Sequence, residues 1–335
     1  MVRVLAVLNA VWRAVRRGQG SFASIGTNNF LIFTVYFLRQ NGKLLYLIVA
    51  LLIFFPLSAD PLRKIPPERL SLWPLDRREW WILRILSPWL NPVMWLLAAA
   101  TVWAIRRSVT WQLLGIVAGL FALAFVLSDL SGGAWDRLAR RVPAFGGLLG
   151  ELIRKNLRQM ICTLDFWLAL VLSGGTTIYR IADRTAPPEA LLMMSLLIML
   201  ALSSYAQCLF GLDGAGGLTR YRLLPLHGWQ ILLAKDAAFL IVATGLTLAL
   251  NPLAGLAAAL TVLAVGHEQS VKHLKPQVRW RFSTSSSLGN GVVQVALMFI
   301  AGYGVARTNV LLIVPCLVAY WISVMWFGRR LDPSA

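Results

Sequence analysis

Long apolar runs alternate with short basic tracts along this chain of 335 residues. Hydrophobic residues make up 58% of the sequence and charged residues 14%, which is more apolar surface than a soluble globule can bury. The runs cover residues 30–38, 44–57, 80–105, 109–127, 166–179, 191–212, 237–265, 292–305 and 310–327. A straight span of the hydrocarbon core needs roughly 20 residues. The pattern predicts an all-α, polytopic membrane protein in which several spans are short or broken.

The formal net charge of +18 could indicate a nucleic-acid partner, but the distribution of the basic residues argues against one. They lie in tracts between the apolar runs, where multi-pass membrane proteins carry their cytoplasmic loops. We therefore expect contacts with lipid and none with nucleic acid. The same rule predicts cytoplasmic N- and C-termini, because Arg16–Arg17 and Arg329–Arg330 lie close to the two ends.

Two stretches, one in each half of the chain, share a polar pattern and lead into similar apolar runs. The matched positions are Arg69 with Arg220, Pro74 with Pro225, Arg84 with Lys235, and Asn91–Pro92 with Asn251–Pro252. Internal repeats of this kind are characteristic of transporters. The repeat predicts two related membrane halves in tandem.

The predicted halves differ in how clearly their spans resolve. Residues 1–133 form an N-terminal interfacial helix and a first, degenerate half, residues 134–160 a cytoplasmic amphipathic linker, and residues 161–335 a second half. Six spans in the second half, with a hairpin turning at Asn251–Pro252, leave every dense basic tract on one side. With the first half, about ten spans are predicted, and eleven or twelve are compatible with the pattern.

Two segments have the helical periodicity of interfacial amphipathic helices. In the first, Val2, Leu5, Leu8, Trp12 and Val15 share one face, opposite Arg3, Arg13 and Arg17. In the second, Leu148, Leu149, Leu152, Ile153 and Leu157 oppose Glu151, Arg154, Lys155 and Arg158. The second lies between the two halves and is expected to act as an elbow helix at the membrane interface.

The sequence lacks the residue patterns of several catalytic classes. It has no phosphate-binding loop of the G-x-x-x-x-G-K-[ST] type, no H-E-x-x-H and no G-x-S-x-G. His267 and His273 flank Glu268, but they are interpreted as part of a solvated loop rather than as metal ligands. Cys162, Cys208 and Cys316 are too dispersed for a disulfide framework. We expect neither an enzyme nor a resident metal or cofactor.

The segment between residues 210 and 235 combines glycines, charges and a proline at the exit of a predicted span. Its glycines permit a sharp turn, and Pro225 can begin a short helix that includes Trp229. Arg222 and Lys235 would bracket that helix with charge. An ordinary interfacial loop anchored by Trp and Arg side chains remains an equal interpretation of these residues.

The motifs of this segment resemble those of permease subunits of bacterial type II ABC exporters. The sequence reads F-G-x-D-G-x-G from Phe210, R-x-x-L-L-P-L from Arg220 and I-L-L-x-K up to Lys235, like the segment between the second and third helices of that family. Residues 266–276 resemble the loop after the family's fourth helix, with His267 in place of the usual asparagine. Residues 151–158 resemble the basic helix that precedes the first one. The resemblance covers about residues 151–330.

The resemblance implies the transmembrane subunit of an ATP-driven exporter in a bacterial inner membrane. A separate ABC-type ATPase subunit, in two copies, would bind ATP and Mg, and this chain would couple hydrolysis to substrate movement. The coupling residues implied are Asp213, Arg220, Arg222, Pro225 and Lys235, with Arg69, Pro74 and Arg84 as first-half counterparts.

A few polar residues inside the apolar runs are candidates for a translocation path: Ser203, Ser204, Gln207 and Gln294. Such residues more often bond to their own helix or join two helices, and that structural interpretation is favoured here.

Two other functions stay open. One is a secondary transporter, although a buried carboxylate relay is not evident from the sequence. The other is a membrane assembly or scaffold protein derived from a permease.

Overall fold

The computed structural model describes residues 2–17, 73, 75–90, 142–143, 146–182, 187–213, 217–272, 277, 283 and 288–332. All regular structure in these ranges is helical, as the composition predicts. The chain divides into two compact units. One comprises residues 1–23 and 34–136, and the other residues 24–33 and 137–335.

The described part of the first unit is a pair of helices that pack together. These are α1 (Val2–Arg17) and α2 (Arg77–Leu86), which continues into a 3₁₀ turn at Ser87–Leu90. Val4, Val11 and Leu83 form their buried contact. The amphipathic face predicted for α1 stays exposed at Leu5 and Trp12. The helix thus has a second apolar face, which the sequence analysis did not identify.

The second unit is a helical bundle. Its helices are α3 (Gly147–Ile161), α4 (Leu164–Ala182), α5 (Pro188–Ala206), the short α6 (Gly217–Arg222), α7 (Gly228–Thr247), α8 (Pro252–Lys272), α9 (Leu288–Arg307) and α10 (Ile313–Arg329). The core lies around α5, α7 and α8, where Leu196, Phe239 and Leu263 are fully buried. α3 of the predicted linker packs on α7 within this unit.

Four helices of the described residues are long and apolar enough to cross a membrane, namely α5, α7, α9 and α10. A fifth candidate is α4 taken together with α3, although the two helices meet at an angle of 79°. This bend follows Ile161. The role of α3 as an elbow helix at the membrane interface stays a prediction. These helices indicate a membrane protein. The six spans predicted for the second half are not confirmed, because its described residues give four candidates, or five with the bent pair. The spans predicted for the first half depend on residues 18–72 and 91–141, which lie outside the described residues.

The six long helices run alternately up and down. At one end of the bundle, Arg307 pairs with Glu189 where α9 ends and α5 begins. At the other end, the backbone N–H of Gly228 donates to Asp332 Oδ1, so that the start of α7 meets the chain just after α10. This second end is called the basic end. Among the described residues it carries Arg154, Lys155, Arg158, Arg220, Lys272, Arg329 and Arg330.

One segment predicted as a loop is helical. Residues 266–270 belong to the last turns of α8, which continues to Lys272. α8 packs closely on the end of α5 there, since a Cβ at Gly266 would lie 2.7 Å from the carbonyl oxygen of Ala206. The hairpin predicted at Asn251–Pro252 is confirmed, because α7 ends at Thr247 and α8 begins at Pro252.

Candidate functional site

The segment that follows α5 folds back against the basic end of the bundle. The chain turns after Ala206, forms a 3₁₀ turn at Gly211–Asp213 and then the short helix α6. The long helix α7 begins only at Gly228, with His227 as its N-cap. The prediction that Pro225 begins a short helix is therefore wrong, because Pro225 lies in the bend before a continuous helix of 20 residues.

Asp213 is the centre of a buried ionic cluster. Its side chain is 2% exposed, and Lys235 Nζ donates to Oδ2 at 2.7 Å. Lys155 Nζ donates to Oδ1 at 2.7 Å, and Tyr221 Oη and Gln159 Nε2 donate to the same oxygen at 3.0 and 2.9 Å. We call Asp213, Lys235, Lys155, Tyr221 and Gln159 the Asp213 cluster. It joins α3, the turn after α5, α6 and α7.

Lys235 is held by more than its ion pair. Its ammonium also donates to the backbone carbonyl of Leu209 at 2.7 Å and to Asn156 Oδ1 at 3.2 Å, so all three donors have partners. The ring of Phe210 lies 4.6 Å from the ammonium, at a distance typical of a cation–π contact. A buried lysine needs such complete pairing, because an isolated ammonium in a low-dielectric interior is strongly unfavourable.

The ionisation of Asp213 reflects its surroundings. Burial disfavours its charged form, but attraction to Lys235 and hydrogen bonds from Lys155, Lys235 and Gln159 outweigh burial and lower the pKa of this carboxyl from 3.8 to about 2. Burial, followed by the charge of Asp213 and the hydrogen bond to it, raises the pKa of the Tyr221 phenol. The cluster thus keeps a carboxylate and a neutral phenol over a wide range of pH.

Acid is expected to weaken this end of the bundle. Because the pKa of Asp213 is lower in the folded state, its stabilising contribution is complete above about pH 4 and disappears as the pH falls towards about 2. The shift corresponds to about 2 kcal/mol. The melting temperature measured in mild detergent should therefore fall more steeply over this pH interval for the wild type than for an Asp213→Asn variant. Equal slopes would show that Asp213 titrates normally.

The sequence-predicted coupling residues fall into two groups. Arg220 and Pro225 are exposed at the basic end, and between them Leu223 is 81% exposed. Asp213 and Lys235 are instead buried beneath this surface. A buried lysine cannot touch a partner protein, so any part that Lys235 has in coupling is to hold the segment in place. We call Arg220 and residues 223–226 the exposed segment, which leaves out the buried Tyr221 of the Asp213 cluster.

The remaining coupling residues are less fully described. Arg222 is the last residue of α6, and Arg84 lies within α2, near its end. Arg69 and Pro74 lie outside the described residues. The role predicted for the first-half residues therefore stays a prediction.

The candidate translocation residues are buried and bonded to the bundle. Ser203 Oγ donates to the carbonyl of Leu200 on its own helix. Gln207 Nε2 donates to Gln294 Oε1 at 2.6 Å, and Gln294 Nε2 donates to the carbonyl of Val262. Ser204 is also fully buried, and its carbonyl accepts from the Cys208 thiol. The bonds of Gln207 and Gln294 join α5, α9 and α8. The side-chain bonds of Ser203, Gln207 and Gln294 are of the kind that the structural interpretation describes.

Sequence reasoning missed a second buried polar group. Asp236 on α7, His267 on α8, and Tyr320 and Ser323 on α10 lie together inside the bundle. The interpretation of His267 as part of a solvated loop is wrong, because its side chain is 0% exposed. The signal available was helical periodicity through residue 272, which keeps His267 on the same face as buried Leu263.

Comparison with known proteins adds no identification. The chain matches no family model, no curated protein and no solved structure.

Proposed function

We propose that this chain is the transmembrane subunit of an ATP-driven exporter, coupling ATP hydrolysis by a separate nucleotide-binding subunit to movement of a substrate across the membrane. The observation that carries the proposal is the exposed segment above the Asp213 cluster. A basic and apolar surface is presented there between α5 and α7, and a buried ion pair joins the turn before it to α7.

A segment that transmits force from a partner must not yield when it is pushed. The Asp213 cluster supplies that rigidity, because Asp213 binds Lys235 on α7 and Lys155 on α3 at once. A displacement of the exposed segment would therefore be passed to α7, which runs on as a continuous helix to Thr247. Exposed Arg220 and Leu223 offer the mixture of charge and apolar surface that fits a groove on a partner.

The distribution of charge supports a cytoplasmic basic end, where an ATPase would have access to its ATP and Mg. A bacterial inner membrane, cytoplasmic termini and two copies of the ATPase belong to the same proposal. The first-half residues Arg69, Pro74 and Arg84 would serve the second copy.

The test is recovery of the ATPase with tagged protein from native membranes solubilised in mild detergent. We expect Arg220→Glu or Leu223→Asp to reduce recovery by about tenfold or more, as for hot-spot residues of an interface. Arg329→Glu makes the same charge change at another exposed position of the basic end and should leave recovery unchanged. Lys235 is not a useful target here, because its burial would confuse loss of docking with loss of folding.

Two outcomes would count against the exporter. If no ATPase with a phosphate-binding loop is recovered with the wild type in several mild detergents, the proposed exporter would have no subunit to supply its energy. If Arg220→Glu and Arg329→Glu reduce recovery equally, general charge rather than the exposed segment would control binding.

One observation favours a second candidate, a secondary transporter driven by an ion gradient. Asp236 and His267 are ionisable and buried between long helices, which is where ion-coupled carriers hold such groups. Proteoliposomes that contain the chain alone separate the two functions. Substrate uptake that follows an imposed proton gradient without ATPase would support the carrier.

A further inference from the structure

The second buried polar group lies well inside the bundle rather than at its surface. Asp236 is about 12 Å along α7 from its start, at about 1.5 Å per residue. Asp236 and His267 are both 0% exposed, and Tyr320 and Ser323 close over them from α10. Ionisable pairs at this depth are expensive to bury, and in membrane proteins they usually have a function.

The hydrogen bonds of this group determine where its protons lie. Tyr320 Oη donates to Asp236 Oδ2 at 3.0 Å, and His267 Nε2 lies 3.1 Å from both carboxyl oxygens. Ser323 Oγ lies 2.8 Å from the carbonyl oxygen of Ala264 and 2.9 Å from His267 Nδ1. A carbonyl oxygen can only accept, so the single hydroxyl proton of Ser323 points towards Ala264.

It follows that Ser323 accepts from His267, and Nδ1 must carry a hydrogen. The other ring nitrogen faces the carboxyl group of Asp236. That contact is a hydrogen bond only if a proton lies on Nε2, making an imidazolium and a carboxylate, or on Asp236, making a neutral imidazole and a carboxylic acid. In both arrangements the pair holds one proton more than a neutral imidazole beside a carboxylate.

We propose that Asp236 and His267 form a proton-binding site within the helix bundle, with one proton held between His267 Nε2 and the Asp236 carboxyl group. The site depends on neither of the functions proposed above. Its ligand is a proton from water. Release of the proton breaks either the N–H bond at His267 Nε2 or the O–H bond of the Asp236 carboxyl group. The proton passes to water and leaves a neutral imidazole beside a carboxylate.

The same bonds exclude a hydrolytic role for the Ser, His and Asp side chains. A nucleophilic serine must give its hydroxyl proton to the imidazole. Here that proton points to the carbonyl of Ala264, and Nδ1 of His267 already carries a hydrogen. Ser323 instead positions the ring so that Nε2 faces Asp236.

Neighbouring charges do not replace the proton. Lys235 precedes Asp236 in α7, but its ammonium is paired with Asp213. From α5, the ring of Tyr205 stacks on Phe239 of α7. The titratable groups of α9 are Tyr303 and Arg307, both exposed and near the opposite end of the bundle. Loss of the proton would leave a buried carboxylate without a full counter-charge, which favours separation of α7, α8 and α10 and entry of water.

The protonation state can be measured directly, because the chain has three histidines. His227→Asn, which keeps a good N-cap, together with His273→Gln leaves His267 as the single histidine. At about pH 7.5, where a free histidine is neutral, ¹⁵N spectra of the purified protein should show a ring protonated on both nitrogens. If the proton lies on the carboxyl group instead, infrared spectra should show a protonated carboxyl band that Asp236→Asn removes.

Either signal supports the site, and the absence of both overturns it. A second measurement does not depend on assigning the spectra. Because the folded state would hold one proton more than the unfolded state, the apparent melting temperature of the wild type should fall as the pH rises above about 6.5. An Asp236→Asn/His267→Gln variant should lose this pH-dependent fall in melting temperature. Tyr320→Phe removes one hydrogen bond but leaves the shared proton in place, so it should retain the fall. Equal slopes in all three proteins would contradict the proposal.

Discussion

Replacing Lys235 by methionine is expected to cost about 3 kcal/mol of stability, near the lower end of the range for breaking a buried ion pair. Methionine fills most of the volume of the lysine stem, so the loss is mainly electrostatic. The carboxylate of Asp213 would stay buried with only Lys155 as a charged partner, and the carbonyl of Leu209 would lose its donor. For a unit of about 200 residues this corresponds to a fall of about 6–12 °C in apparent melting temperature.

Lys155 offers a matched control for this prediction. It donates to the same carboxylate over the same distance of 2.7 Å, but its side chain is 47% exposed. Lys155→Met should therefore cost less than about 1 kcal/mol, as for a surface ion pair. Both variants can be compared by thermal unfolding in one detergent. If they melt at the same temperature, burial does not control the strength of the cluster.

A double variant tests the cause of the loss. Asp213→Asn combined with Lys235→Met removes both charges and keeps the shape of the site. We expect this protein to be more stable than Lys235→Met alone, because no uncompensated charge is left in the interior. Further destabilisation by Asp213→Asn would instead attribute the loss to packing.

Most of the second half could be predicted from its apolar periodicity. The runs and their basic flanks predicted long helices and the hairpin at Asn251–Pro252, and the structure has both. The depth of individual charges could not be predicted. A coupling role for Lys235 implies a place at the surface, and basic residues next to apolar runs usually flank a membrane. Lys235 is buried because α3 covers it, and that packing is not encoded in the local sequence.

The same limit explains the missed proton-binding site. Asp236 and His267 are on different helices, and Tyr320 and Ser323 on a third, so no spacing along the chain brings them together. Their contacts follow from the packing of α7, α8 and α10. The polar sequence from His267 to Ser270 suggested a loop, whereas the structure continues α8 through it.

The two stretches with the matched polar pattern share one local feature, the way in which a helix begins. In α2, the backbone N–H of Asp76 donates to Glu79 Oε2, and in α7 that of His227 donates to Gln230 Oε1. Both helices therefore begin in the same register after the shared Pro–Leu pair, with the reciprocal pattern of a capping box. They then diverge, since α2 gives way to a 3₁₀ turn after Leu86 and α7 continues. The relation between the two whole halves stays a prediction.

Gly328→Ala is expected to destabilise the basic end by at least about 2 kcal/mol, because an added methyl group meets backbone rather than a movable side chain. A Cβ at Gly328 would lie 2.5 Å from Trp229 Cα and 2.8 Å from Trp229 N, where α10 crosses the start of α7. The helices would have to separate, and the bond from Gly228 N–H to Asp332 would lengthen or break. Thermal unfolding should report the loss.

Gly175→Ala is the control with the opposite expected sign. Gly175 lies in the interior of α4, and a Cβ there meets nothing within 4 Å. Alanine should therefore add up to about 1 kcal/mol through its higher helix propensity. Gly328→Ala and Gly175→Ala make the same chemical change within a helix. The difference between their melting temperatures therefore separates the effect of packing from the effect of backbone entropy. A Gly328→Ala protein that melts at or above the wild-type temperature would require α7 and α10 to cross at a greater distance than they do here.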